Sequence, residues 1–264
     1  MLLATSMARI DLNCDMGESF GPYRIGDDET VIASITSANI ACGFHASDPT
    51  VMDRTVRLCK KYGVMAGAHP GYPDRVGFGR RYLAVDREDL LNDIVYQVGA
   101  LQGFLARHSL TLQHVKLHGA LYNHLAGDEE LLLAVARTVR TAFDNPIFLT
   151  LGTGRTDAFL ERCRREGIRL ALEAFPDRMY TDEGFLLPRN RPGAVLEDPE
   201  EIARRAVSMA RDGIVTTVGG RPLSMSIHTL CLHGDNPQSV AAAARVRGAL
   251  AEAGIDVVPL SRFL

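Results

Sequence analysis

A row of oxygen-bearing side chains near the start of the chain is the first feature that could do chemistry. Asp11, Asn13 and Asp15 alternate with apolar residues over positions 10–14. In a β-strand the polar groups therefore share one face and the apolar groups the other. A buried carboxylate is unfavourable unless it is paired, hydrogen-bonded or bound to a cation. The row predicts a polar cavity at the end of a strand, with a solvated edge strand as the alternative.

Ionisable side chains also stand at the ends of five other apolar segments. They are His45, His69, His118, Glu173 and His233. The carboxyl ends of the strands of a β/α barrel meet at one rim, where active sites of this fold are built, so we expect these residues to converge there with Asp15. One such histidine alone is more often structural, but six polar segment ends would each need a separate structural explanation.

Lys116 is a further candidate because of where it lies. The chain contains three lysines, and the other two end a predicted helix, where positive charge suits the helix dipole. Lys116 instead lies within a predicted strand, on the same face as two histidines. In a barrel mouth its ammonium group would bind a substrate carboxylate or stabilise an oxyanion. The alternative is a structural ion pair with Asp11 or Glu173.

Strands and helices alternate along the chain and must position these groups. Strand-like runs are predicted at residues 9–14, 37–42, 64–68, 114–118, 147–151, 169–174, 226–232 and 256–260. Helices are predicted to start at Asp48-Pro49, Asp198-Pro199 and Asn236-Pro237, to end at Gly63, Gly213 and Gly254, and to cover 87–107, 129–142 and 155–166. Short strands that are apolar on both faces are typical of parallel strands covered by helices. We therefore predict one TIM-like β/α barrel domain over residues 1–264, irregular or seven-stranded, rather than an open doubly wound sheet.

Composition excludes several classes of function. With 46% hydrophobic residues and a formal net charge of -3, the chain can bury a full core and lacks the basic character of a nucleic-acid-binding protein. Residues 1–9 show no secretory signal, and no apolar stretch is long enough to span a bilayer, so we expect a cytoplasmic protein. The five cysteines are widely spaced in apolar segments and are expected to be free core thiols.

Six segments of the chain closely resemble the LamB/YcsF family. They are Asp11–Glu18, Ser37–Asp48, Gly67–Asp74, Gly77–Arg81, Val115–Tyr122 and Glu173–Tyr180. The match runs from about Ile10 to Leu260 and keeps its order and spacing. The resemblance implies a β/α barrel related to glycoside hydrolase and deacetylase barrels. It also implies cleavage of the lactam 5-oxoproline (pyroglutamate) to L-glutamate, driven by hydrolysis of ATP to ADP and phosphate, together with two partner subunits, B and C.

Opening a five-membered lactam requires carbonyl activation, a nucleophilic water and a proton for the departing nitrogen. Under this resemblance the expected catalytic residues are Asp11, Asp15, Lys116, His118, Glu173 and His233. Asp15 or Asp11 would be the general base for water. His118 or His233 would donate the proton to nitrogen, and Lys116 would steady the oxyanion.

A second group of residues is expected to bind the substrate. The group is Asn13, His45, His69, Arg80, Arg81 and Arg178. Arg80 or Arg81 follows a flexible Gly-x-Gly turn and would hold the substrate carboxylate, with a solvated loop pair as the alternative. Arg178 is expected first to form a local ion pair with Asp177 and second to line the wall of the pocket. The segment 189–191 is expected to be a solvated surface loop.

The sequence contains no Gly-x-x-x-x-Gly-Lys-Ser/Thr loop. Gly152–Gly154 is better explained as a strand-to-helix turn than as a phosphate loop. ATP is therefore expected to be handled mainly by, or together with, the partners. Two alternatives stay open. One is a metal-dependent carbohydrate deacetylase-like hydrolase, with a divalent metal held by Asp15, His45 and His69. The other is a non-catalytic lactam-binding subunit.

Overall fold

Seven parallel strands close into a barrel in the computed structural model, which describes residues 8–154, 156–234 and 236–264. The strands of the described residues are β1 (Arg9–Met16), β2 (Ser37–Ala41), β3 (Met65–His69), β4 (Leu112–Lys116), β5 (Ile147–Leu151), β6 (Leu170–Ala174), β7 (Ile214–Thr216), β8 (Pro222–Ser224), β9 (Thr229–Leu232) and β10 (Asp256–Val257). Strands β1 to β6 pair in chain order, and β9 pairs with both β6 and β1. The prediction of an irregular or seven-stranded TIM-like barrel is confirmed.

Eight α-helices follow these strands within the described residues. They are α1 (Asp28–Val31), α2 (Pro49–Tyr62), α3 (Arg87–Arg107), α4 (Gly119–Ala126), α5 (Glu129–Ala142), α6 (Thr156–Arg165), α7 (Pro199–Asp212) and α8 (Pro237–Glu252). The side chain of Asp48 accepts a hydrogen bond from the Val51 amide and so caps α2, which ends at Gly63 in the left-handed region. Asp198 and Asn236 cap α7 and α8 in the same way. Sequence periodicity did not predict the short helices α1 and α4, and Arg155, at the predicted start of α6, lies outside the described residues.

The eighth predicted strand, 256–260, does not join the barrel. Only β10 forms there, and it pairs with Arg9 and Ile10 at the start of β1. Pro259 has no amide hydrogen to continue a ladder, and a short 3-10 turn follows it from Leu260. Strand β4 also lies two residues earlier than predicted, so Lys116 is its last residue and His118 lies beyond the strand.

The long connection between β6 and β9 gives the barrel its irregular side. It contains α7 and an antiparallel hairpin of β7 and β8. Before α7, the segment from Phe185 to Arg189 runs over the carboxyl-terminal rim, where it lines a cavity. One side of the rim is therefore covered by a segment of the long connection and not by a loop that directly follows a barrel strand.

The two faces of β1 differ as the sequence pattern predicts. Ile10, Leu12 and Cys14 are fully buried in the apolar layer between sheet and helices. Asp11 and Asn13 are equally buried but contact side chains across the barrel interior. The interior of this barrel is therefore polar along β1, whereas Ile147 and Leu149 of β5 belong to a separate buried apolar cluster.

Two expectations from composition concern cysteines and membranes. All five cysteines are buried and unpaired, as expected. Among the described residues, no helix combines the length and the apolar character needed to cross a bilayer. Residues 1–7, part of the segment in which no secretory signal is expected, lie outside the described residues.

Candidate active site

Asp11 lies toward the amino-terminal end of the barrel and is held entirely by hydroxyl groups. Ser37 and Thr36 donate to Oδ1 at 2.6 and 2.8 Å, and Thr229 donates to Oδ2 at 2.5 Å. Burial raises the pKa of Asp11 to about 6. The carboxyl is fully buried and does not line the cavity at the opposite rim. Of the two residues expected as general base, Asp15 or Asp11, the geometry therefore favours Asp15, because Asp11 does not line the cavity.

We expect Asp11→Asn to change the pH dependence of stability. The folded state raises the pKa of this carboxyl from 3.8 to about 6, so it binds a proton that the unfolded chain releases. The resulting stabilisation is fully present below pH 3.8 and is lost as the pH rises through about 6, a change of roughly 2–3 kcal/mol. Urea unfolding between about pH 4 and 8 should therefore show a steeper loss of stability in the wild type than in the variant. Equal slopes of stability against pH in the wild type and in the variant would contradict the raised pKa of Asp11.

Asn13 forms the next layer of the interior and positions its neighbours. Its amide nitrogen donates to Glu173 at 2.8 Å and to Thr229 at 2.7 Å. Its oxygen accepts from Asn39 at 2.7 Å and from Lys116 at 3.3 Å. These contacts use the whole amide, and the residue is fully buried. Asn13 therefore orients catalytic candidates, and the expectation that it binds substrate is not met.

Lys116 lies at the centre of a buried charge network. Its Nζ is 3.0 Å from Asp15 Oδ1 and 2.9 Å from Glu173 Oε1. Burial alone would lower the pKa of Lys116, but the Asp15 charge, Cys231 and Glu173 hold it well above its usual range. Tyr122, which sequence reasoning missed, donates to the other oxygen of Glu173 at 2.8 Å. The lysine is thus charged and paired with Glu173, as the structural alternative predicted, and with Asp15 in place of Asp11.

Asp15 is the carboxylate that reaches the cavity. Its Oδ1 accepts from Lys116 and, at 2.8 Å, from Asn39, while Oδ2 lies 3.2 Å from His69 Nε2. Its side chain is 25% exposed, whereas Glu173 is fully buried. Burial acts to raise the pKa of Asp15, but His69 and Lys116 hold it well below its usual range. Asp15 is therefore an ionised group on the cavity wall.

Three histidines pack together beside Asp15. The rings of His45 and His118 stack in parallel with centroids 3.7 Å apart, and His69 meets His118 edge to face. Burial, followed by the neighbouring imidazoles, lowers the pKa of His45 and of His118 well below the usual value. At Gly79 the backbone has a φ of +61°, and a Cβ there would lie 2.8 Å from both His118 Cδ2 and His45 Cβ. The Gly-x-Gly turn thus fits closely over these rings.

Glu18 completes this cluster, although the sequence reasoning did not single it out. Its Oε1 lies 3.2 Å from His45 Nε2 and 3.5 Å from His118 Nδ1. Gly17, with a φ of +68°, turns the chain after β1 and returns Glu18 to the rim. The donor atoms of Glu18, His45, His69 and His118 all lie within 4.8 Å of one another. The structure thus brings together a different set from the expected metal ligands Asp15, His45 and His69.

The opposite wall of the cavity carries a second histidine arrangement. His233 Nδ1 lies 2.5 Å from Asp177 Oδ2, and Arg189 donates to His233 Nε2 at 2.7 Å. The arginine donor requires a lone pair on Nε2, so the ring proton is on Nδ1, facing Asp177. Burial acts to raise the pKa of Asp177, but His233 keeps it below its usual value. The expected surface loop at 189–191 therefore supplies a cavity residue that was missed.

The three arginines expected to bind substrate have different surroundings. Arg178 lines the cavity, but it donates to the carbonyl oxygens of Leu187 and Ala194, so it is a wall and not a partner of Asp177. Arg81 pairs with Asp74 and does not line the cavity. Arg80 does line it, and its guanidinium lies 5.5 Å from the Phe78 ring. Within the described part of the chain Arg80 makes no side-chain hydrogen bond, which leaves its donors available to an anion.

These residues enclose one cavity of about 510 Å³ at the carboxyl ends of the barrel strands. Its ionisable lining comprises Asp15, His69, Arg80, Lys116, His118, Tyr122, Arg178, Arg189 and His233. Leu151, Phe175 and Phe185 add an apolar patch. Of the other expected residues, His45 lies behind His118, and Glu173 lies behind Lys116. The volume and mixed lining suit a small anionic molecule.

The loop after β5 is a strand-to-helix turn. Thr156 Oγ1 donates to the Thr153 carbonyl at 2.7 Å and accepts from the Thr153 amide at 3.0 Å. A Cβ on Gly154 would lie 3.2 Å from the side chain of Leu223 in β8. These contacts favour the structural interpretation of Gly152–Gly154 over a phosphate loop.

Comparison with known proteins agrees with this architecture. The family model for the LamB/YcsF family matches residues 10–264. A protein of Pyrococcus furiosus, named as the A subunit of 5-oxoprolinase, is 48% identical over 256 residues, which cover 97% of this chain and 99% of the relative. A protein of the same name from Symbiobacterium thermophilum is 48% identical and covers 94% of each. The crystal structure of a lactam utilization protein from Thermus thermophilus has a TM-score of 0.87 and 42% identity, over 95% of this chain and 99% of that one.

Proposed function

The chain belongs to the LamB/YcsF family, and from that premise we propose that it is the A subunit of an ATP-dependent 5-oxoprolinase, a hydrolase that acts on a cyclic amide. Relatives 48% identical over nearly the whole chain are named as the A subunit of that enzyme, which does not favour the deacetylase or binding-only alternatives. The observation that carries the proposal is the single cavity that holds an ionised Asp15, a charged Lys116 and the uncommitted donors of Arg80.

The substrate is a small lactam that carries one carboxylate. We assign that carboxylate to Arg80 and Arg189, whose guanidinium groups line the same cavity. The ring would then lie against Phe175, beside Lys116. When Arg189 turns to the substrate, His233 Nε2 loses its present donor and is free to exchange a proton.

The reaction consumes two water molecules, one to open the ring and one, in balance, to release phosphate from ATP. We propose that phosphorylation of the lactam oxygen activates the carbonyl carbon. Asp15 takes a proton from the attacking water, whose hydroxyl adds to that carbon, and Lys116 stabilises the negative charge of the phosphoryl group carried by the former carbonyl oxygen. His233, oriented by Asp177, takes up a proton on the Nε2 that Arg189 has left and gives it to nitrogen as the C–N bond breaks. The product of this step is γ-glutamyl phosphate, and the second water molecule cleaves it to glutamate and phosphate.

ATP binding and phosphoryl transfer are assigned mainly to, or jointly with, 5-oxoprolinase subunits B and C. The support is that, in the strand-to-helix turn at Gly152–Gly154, the backbone amide and carbonyl of Thr153 are engaged locally with Thr156. The cavity opens at the rim, so an activated lactam can enter it from a docked partner. A cytoplasmic location, where ATP is available, belongs to the same proposal.

Reconstitution tests this function directly. The purified chain, given 5-oxoproline and ATP, should form negligible glutamate alone and should form it together with ADP once both partner subunits are added. The partner subunits without this chain are the control, and they should not release glutamate. Robust ring opening by the isolated chain without ATP would overturn the scheme. Hydrolysis of an acetylated sugar by the chain would point instead to a deacetylase.

A further inference from the structure

When both rings are neutral, two histidine nitrogens in the cluster face each other with no hydrogen between them. His69 Nδ1 donates to the carbonyl oxygen of Lys116, and His118 Nε2 donates to that of Phe78, both at 2.8 Å. A neutral imidazole has a single N–H, so these bonds leave lone pairs on His69 Nε2 and His118 Nδ1. These two atoms are 3.0 Å apart. In this arrangement each ring offers the other only an acceptor.

Carboxylate oxygens surround the same point. Asp15 Oδ2 lies 3.2 Å from His69 Nε2, and Glu18 Oε1 lies 3.5 Å from His118 Nδ1. The ammonium group of Lys116 contacts the other oxygen of Asp15, so it does not separate these atoms. Four electron-pair donors that converge in a buried place repel one another unless a proton or a metal ion lies among them.

We propose that this point is a binding site for a divalent metal ion of the zinc class, with His69 Nε2, His118 Nδ1 and Glu18 Oε1 as ligands. Two imidazoles and one glutamate are a ligand set that zinc uses when it keeps a fourth position open for water or substrate. Tetrahedral ligands at about 2.0–2.1 Å from zinc are separated by about 3.3–3.4 Å. The separations of 3.0 Å and 3.5 Å around His118 Nδ1 are close to that value.

The tautomers support this assignment. A metal-bound histidine commonly donates its other N–H to a carbonyl or carboxylate, which fixes the ring orientation. His69 and His118 both do so, through different ring nitrogens, His69 to the end of β4 and His118 to the Gly-x-Gly turn. The lone pairs are thus held in place before any ion binds.

His45 orients the glutamate but is not a ligand. Its ring is stacked on His118 with an interplanar angle of 2°, so their in-plane lone pairs lie in parallel planes and do not meet at one ion. His45 Nε2 instead lies 3.2 Å from Glu18 Oε1, where its N–H holds that carboxylate toward the site. In the described part of the chain, His45 Nδ1 is buried without a partner, which agrees with a lone pair on that atom.

The ion would lower the pKa of a bound water, with Asp15 beside it to accept the proton. This role rests on the proposed function, whereas metal binding itself does not. The binding experiment therefore needs neither lactam nor partner subunits, and its failure would leave the reconstitution assay unaffected.

The experiment treats the full chain with a chelator and then titrates it with zinc by calorimetry and with cobalt(II) by visible absorption. We expect one equivalent of each ion and the intense absorption of four- or five-coordinate cobalt. Glu18→Gln and His118→Asn should each weaken binding by about 100-fold or more. His124→Asn is the matched control, because that ring contacts Tyr72 outside the cluster and should leave affinity unchanged.

Thermal melts with and without zinc provide a second measurement, since an ion that binds the folded state raises the melting temperature. The increase should occur in the wild type and in His124→Asn and be absent in Glu18→Gln. If His118→Asn fails to fold, Glu18→Gln still tests the site, because Glu18 is partly exposed and the substitution is nearly isosteric. Absence of stoichiometric uptake by the wild type, or unchanged affinity in folded Glu18→Gln, overturns the site.

Discussion

Asp15→Asn should lower glutamate formation by the reconstituted enzyme by roughly 10³-fold. Asp15 is the ionised carboxylate that reaches the cavity, and Lys116 and Asn39 fix one of its oxygens within 3.0 Å. An amide of the same shape keeps the packing but accepts no proton. The rate of glutamate release at saturating 5-oxoproline and ATP measures the effect, and gel filtration should show that the subunits still associate.

Asp11→Asn is the matched control, because Asp11 lies on the same face of the same strand. Its carboxyl is fully buried and bonded only to hydroxyl groups, so the variant should keep the rate within about threefold. Equal losses of rate in both variants would mean that Asp11, Asn13 and Asp15 act as one structural unit. A near wild-type rate in Asp15→Asn would remove its assignment as the base.

Lys116→Met should combine loss of activity with the largest loss of stability. Asp15 and Glu173 would be left without their counter-ion, and removal of one partner from a buried charge network costs about 3–5 kcal/mol. Glutamate formation should fall below detection, because the phosphorylated intermediate also loses its cation. Urea unfolding of the isolated chain measures the first effect, and the reconstitution assay measures the second.

The double variant Lys116→Met, Glu173→Gln separates the two roles of the lysine. Removal of the Glu173 charge should recover part of the lost stability, whereas activity should stay absent. Recovery of activity in the double variant would show that Lys116 acts only by neutralising Glu173. A single variant as stable as the wild type would show that the ion pairs contribute nothing to folding.

Local patterns were sufficient to predict most of the elements. The helices α3 and α5 have the predicted bounds, since the periodicity of each lies within one segment and Asp128 caps α5. The alternation in β1 also predicted which side chains face inward. This alternation does not show how far along the barrel interior each side chain lies. Asp11 and Asp15 share one face, but four residues of strand separate them by about 13 Å along the interior. One is therefore structural, and the other reaches the cavity.

The site residues that were missed depend on contacts between distant segments. Arg189 belongs to a connection after β6 and reaches His233, 44 residues away in the chain. Asp177 pairs with the same histidine instead of its neighbour Arg178, because the folded rim places His233 closer. No periodicity encodes such pairings, since tertiary packing of loops determines them.

The closure of the barrel has a consequence for the order of folding during synthesis. Strand β1 pairs with β9, and the hydrogen bond from Thr229 to Asp11 joins residues 218 positions apart. The ring cannot close until β9 has left the ribosome, and the edges of β1 and β6 stay unpaired until then. Asp11 and Asn13 lack Thr229 during that time, so water solvates their inward face. The polar side chains of β1 that lead to the active site thus stay solvated until the last barrel strand is available.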